Sequence, residues 1–194
     1  MPGQASGQGV YEGVLEIVPL DDGRRVRLGG AFTYVDKAGL RWTAPAGAVV
    51  DGASVPQASW TLTDGPFGGR YRNAWVIHDW YCDRRSRPWR DVHRMFHEAM
   101  LASGIEPIRA KLMYAAVYWG GPRWSDAGTA PPPAAGSLFR PDRASASQGS
   151  PRPPARFAFD RRDLAQLQAL IGGRDPDLAR IDRLVDETLQ RRGR

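Results

Sequence analysis

At 194 residues the chain is long enough for one domain with its own core plus an appendage, and a hydrophobic share of 42% is ordinary for a folded protein. No run approaches the ~20 apolar residues that span a bilayer, and Met1 to Gly9 has neither the basic start nor the apolar middle of a secretory signal. The single cysteine, Cys82, excludes an intramolecular disulfide framework, and the net charge of +6 is spread along the chain, which argues against specific nucleic-acid binding.

In chain order, residues 1–9 are expected to be a disordered start. Residues 10–50 read as strands: Val10 to Val18 alternates loosely, Asp21-Asp22-Gly23 marks a turn, and Arg25 to Leu28 resumes the alternation. Ala31 to Val35 and Leu40 to Thr43, separated by Asp36 to Gly39, form a β-hairpin pattern that leads into Pro45 to Val50. Residues 51–70 are irregular and too long for an idle connection. Helices are expected over Ala74 to Asp83, Trp89 to Ser103 and from Glu106-Pro107 to about Trp119. The second carries a stripe of Val92, Met95, Phe96 and Ala99, and the third buries Leu112, Ala115, Ala116 and Trp119.

The fold class is therefore α+β: a small N-terminal β-hairpin or sheet region packed on a three-helix core, covering residues 10–121. Residues 122–156, rich in Pro, Ala and Ser, are expected to be a disordered linker. A helical hairpin is expected over 157–194, from Leu164, Leu167, Leu170 and Ile171, then Leu178, Ile181, Leu184, Val185 and Leu189.

His78 and Asp79 follow the apolar run Ala74 to Ile77, so a histidine and an aspartate are delivered on a segment anchored in the core. Burying them is costly unless both are partnered. If the first two helices pack antiparallel, Asp91 can reach the imidazole and orient it, which makes His78 and Asp91 the candidate catalytic pair. Asp79 and Asp51 are the candidate metal ligands, with carbonyls of the irregular loop as further oxygen donors for calcium. Arginines 70, 72, 84, 85, 87, 90 and 94 bracket the pair, either drawing in an anion or forming a solvated rim. Arg85 and Tyr81 are the candidate substrate contacts. His93 and His97 share a helix face four residues apart, but no third ligand follows at a recognisable interval, and both are expected to be exposed. Cys82, four residues from His78, is expected to be a small buried hydrophobe, and Ser54 to cap or turn the chain.

Residues 34–119 resemble the bacterial and phage family DUF1353, a domain of unknown function. The resemblance rests on Ala44-Pro-Ala-Gly47, Asp51-Gly-Ala-Ser-Val-Pro56, Gly68-Gly69, Ala74 to Asp79, Ser86-Arg87, Asp91 with Phe96, Ala99-Met100, Gly104 and Met113-Tyr114. It implies a gene found among phage structural genes. His-Asp at a helix start, followed by Asp and Phe on an antiparallel helix, is also similar to the prokaryotic branch of the phospholipase A2 family. That likeness implies His78 as the base activating water, Asp79 as the calcium carboxylate and Asp91 as the orienting group. Cys82 stands where that family usually has tyrosine, with Tyr81 one place early.

Two functions follow as expectations. One is a calcium-dependent hydrolase acting on a phospholipid or other anionic ester. The other is a non-enzymatic phage or prophage structural or accessory protein whose helical tail docks on another subunit. A cytoplasmic or virion-associated location, with no signal peptide and no transmembrane segment, suits either.

Overall fold

The structure, a computed structural model, describes residues 9–63, 69–125 and 159–192. The tail expected over 1–9 and the linker expected over 122–156 lie almost wholly outside the described residues. Among the described residues six short strands run in order: β1 (Val10–Glu12), β2 (Ile17–Pro19), β3 (Val26–Leu28), β4 (Phe32–Val35), β5 (Arg41–Ala44) and β6 (Val49–Val50). They form two antiparallel three-stranded sheets, β1-β4-β5 and β2-β3-β6. The alternation from Val10 to Val18 is thus divided between sheets. Gly13, at φ +84°, turns the chain out of the first, a conformation that costs glycine little. The expected hairpin forms as β4 and β5, with Tyr34 opposite Trp42.

Five α-helices follow among the described residues: α1 (Arg72–Arg84), α2 (Trp89–Ala102), α3 (Pro107–Gly120), α4 (Arg161–Ile171) and α5 (Leu178–Arg192). The architecture is α+β, as expected. The sheets present Leu28, Phe32, Tyr34, Trp42, Ala44 and Val50 to a core shared with α1 and α2. Helix α1 stops where Arg85 takes a left-handed conformation at φ +53°. Helix α3 starts on Glu106, whose carboxylate accepts from the Arg109 N–H, with Pro107 in the first turn.

Only one face of α3 was expected to be buried, yet both are. Ala110, Met113 and Val117 join the core with α1 and α2, while Leu112, Ala115, Ala116 and Trp119 join Leu167, Ile171, Ile181 and Val185 of the C-terminal hairpin. The tail helices therefore pack on this chain's own α3. Polar contacts fix the register: Tyr114 donates to Asp182 (2.6 Å), Tyr118 to Asp186 (3.0 Å), and Arg94 pairs with Asp182 at 2.9 Å. Among the described residues, no helix is long and apolar enough to cross a membrane.

Candidate functional site

Between β6 and a 3-10 helix at Gln57–Leu62, residues 51–56 fold back onto α1. The fold is enforced by Asp79. Its Oδ2 accepts the backbone N–H groups of Asp51 (2.9 Å) and Gly52 (3.1 Å), and its Oδ1 accepts that of Ser54 (3.1 Å). Gly52 sits at φ +69°, so the chain can curl around the carboxylate. Three N–H donors on one buried carboxylate satisfy a group that would otherwise be costly to bury.

His78 is fully buried on the same helix. Ser54 Oγ lies 3.1 Å from its Nδ1, and His93 Nδ1 lies 2.9 Å from its Nε2. Phe96 packs against the imidazole, with ring centroids 4.4 Å apart. Cys82, one helical turn after His78, places Sγ 3.6 Å from His78 Nε2. The ligand atoms of His78, Cys82 and His93 all lie within 4.8 Å of one another. His93 is also fully buried, and its ring is held well below the ordinary histidine range, first by burial and then by His78 and the Arg123 guanidinium. The Pro122 carbonyl acts in the opposite direction. This environment disfavours the charged form of the His93 imidazole.

Several sequence-derived assignments change. Asp91 is exposed in the first turn of α2, where its charge suits the helix dipole. The side chain facing His78 Nε2 is that of His93, two residues further on. Since successive helical residues point about 100° apart, two positions separate a core-facing ring from an outward carboxylate. His93, expected to be exposed, has 0% exposure, whereas His97 is only partly covered. The loop offers Asp79 backbone N–H groups rather than carbonyls towards a cation. Asp51 turns its Oδ1 back to the Ala53 N–H. Tyr81 is buried, and its hydroxyl accepts from the Thr43 N–H.

Three of the seven arginines of the cluster lie over aromatic faces. Arg87 lies 4.0 Å from the Trp42 ring centroid, Arg84 lies 4.3 Å from Trp80, and Arg90 lies 4.4 Å from Trp89. Arg85 is partly buried at the end of α1. Sequence reasoning missed the inward turn of Ser54 and the burial of His93. The latter did leave a signal: Trp89, His93, Phe96 and Met100 recur at spacings of four, three and four, a continuous helical stripe. The loop's outer side, with Asp51, Ala53 and Pro56, lines a groove of about 610 Å³ together with Trp60, Gly120 and Phe159.

Two curated relatives, both from Sinorhizobium fredii, are similar to part of this chain. The uncharacterized protein y4jT is 46% identical over 98 residues, which is 50% of this chain and 29% of that protein. The uncharacterized protein y4iH is 47% identical over 93 residues, 48% of this chain and 39% of that protein. The chain thus matches only about a third of the length of these relatives. No solved structure matches it significantly. Nothing in these matches bears on the phospholipase A2 resemblance. The segment that builds the site, residues 26–117, matches the model of the DUF1353 family, described as a protein of unknown function.

Proposed function

We propose that the protein is a non-enzymatic accessory or structural protein of the phage-associated kind, in which His78 and Asp79 brace the fold. The observation that carries this is the saturation of the pair. Both ring nitrogens of His78 and both oxygens of Asp79 are engaged inside the protein, with no solvent-exposed surface on either residue. A general base needs a path to the proton that it removes. The groove beside the loop is lined by Asp51 and Ala53, and Ser54, His78 and Asp79 are not among its lining residues. The backbone N–H groups of Asp51, Gly52 and Ser54, the donors an oxyanion would need, are committed to Asp79.

In this proposal the brace holds residues 51–56 rigid, so that the groove has a fixed wall for a partner. The experiment is hydrolysis of a phospholipid and ester panel, with and without calcium, by wild type and His78→Ala. The expected outcome is no turnover that depends on both calcium and His78, together with a lowered melting temperature for the variant. Calcium-dependent turnover by wild type, lost in a folded His78 variant, would instead establish the ester hydrolase implied by the phospholipase A2 resemblance.

A further inference from the structure

We propose that His78, Cys82 and His93 form a binding site for one divalent transition-metal ion of the zinc class. The site does not depend on whether the protein turns over a substrate. His78 and Cys82 are four residues apart on α1 and so point from the same face, and His93 meets them from α2. Two imidazole nitrogens and a thiolate are the donors that zinc, cobalt and related ions favour, and they are the wrong class for calcium.

The three ligand atoms lie within 4.8 Å of one another, a spacing that small side-chain adjustments bring to that of such an ion. Zinc bonds of about 2.0–2.1 Å to nitrogen and 2.3 Å to sulfur, at tetrahedral angles, put nitrogen and sulfur roughly 3.6 Å apart and two nitrogens roughly 3.3 Å apart. Cys82 Sγ is 3.6 Å from His78 Nε2 and 3.9 Å from Nδ1, so it sits beside the ring and the thiol turns towards the Nε2 side to share an ion. His78 Nε2 and His93 Nδ1 are 2.9 Å apart, so the rings need to part by only a few tenths of an ångström.

One of the two outer partners is in place, and a backbone carbonyl neighbours the other ring. A ligating histidine holds its tautomer by donating its other ring N–H to a nearby acceptor. For His78 that acceptor is Ser54 Oγ, 3.1 Å from Nδ1. For His93 the Nε2 side is buried and makes no hydrogen bond of good geometry, while the Pro122 carbonyl is the neighbouring backbone group that interacts with the ring. With a metal on the facing nitrogens, both outer nitrogens carry hydrogen, and neither facing nitrogen needs a shared proton.

Because all three residues are sealed from solvent, loading accompanies folding. The test supplies Co²⁺, under reductant, to the full chain both when folded and during refolding from denaturant. One cobalt per chain is expected, with thiolate-to-cobalt charge-transfer absorption that zinc bleaches and excess calcium leaves intact. Cys82→Ser should lose that absorption and His93→Gln should lose stoichiometric binding, while His97→Gln keeps both. If Cys82→Ser does not fold, as judged by circular dichroism, Cys82→Ala provides the same readout. The proposal is overturned if wild type binds no cobalt in either format, if the absorption survives removal of the thiol, or if calcium displaces the ion. Metal binding is read without any turnover, so its failure is separate from failure of the non-enzymatic proposal.

Discussion

A carboxylate held by three backbone N–H groups in a closed interior contributes more than a surface ion pair, because removing it leaves three donors facing each other without water. Asp79→Ala should therefore destabilise the protein by roughly 3–5 kcal/mol in urea unfolding, several times the effect of removing the exposed Asp91. A comparable loss for the two variants would refute the clamp. His97 gives a pH signature. Burial, then Lys111 and Lys37, push its pKa down to about 4 from the ordinary 6.5. The unfolded chain thus takes up this proton at a higher pH than the folded one, and stability should fall as pH drops from 6.5 towards 4. Chemical denaturation of wild type and His97→Gln across that window should show a shallower fall for the variant. At this scale the sequence was informative about His78 and Asp79, since an apolar run led into them, but it misplaced their partner. The apolar stripe that buries His93, from Trp89 to Met100, spans three turns of α2, and His93 lies two residues from the carboxylate that looked like the natural orienter.

Among the elements, the helices were legible to within a few residues because their apolar spacing and stop signals lie close together in sequence. The division of the first strand between two sheets was not, since it depends on which distant strand each half meets. The surroundings of α3 depended likewise on a partner distant in sequence. Its polar edge predicts an energetic link to the tail: Asp182 accepts from Tyr114 and pairs with Arg94, so Asp182→Ala should cost about 1–3 kcal/mol by leaving a largely buried phenol without its acceptor. A thermal melt indistinguishable from wild type would mean that this contact is idle. Gly120 tests a closer approach. A Cβ built there would lie 2.6 Å from Phe159 Cβ and 3.1 Å from Pro56 Cγ, so Gly120→Ala should push Phe159 off the groove wall, a change visible as altered hydrogen exchange around residues 51–60.

For the molecule as a whole, α3 joins two apolar clusters, one with the sheets and one with the terminal hairpin. Deleting the segment from residue 159 onward should expose Leu112, Ala115, Ala116 and Trp119 together. The shortened chain should bind a hydrophobic dye and self-associate in size-exclusion chromatography, whereas unchanged behaviour would make the hairpin an independent appendage. The α+β plan could be read from the sequence because each half has its own periodicity; the joining of the tail to α3 could not, because periodicity shows that a face is apolar without showing what covers it. Cys82 has a further consequence. It is the chain's single thiol, 1% exposed at the meeting of α1 and α2, so an alkylating reagent can reach it only when that junction opens. The protein thus carries its own clock: the labelling rate of one atom, measured without any added probe residue, reports how often its centre opens.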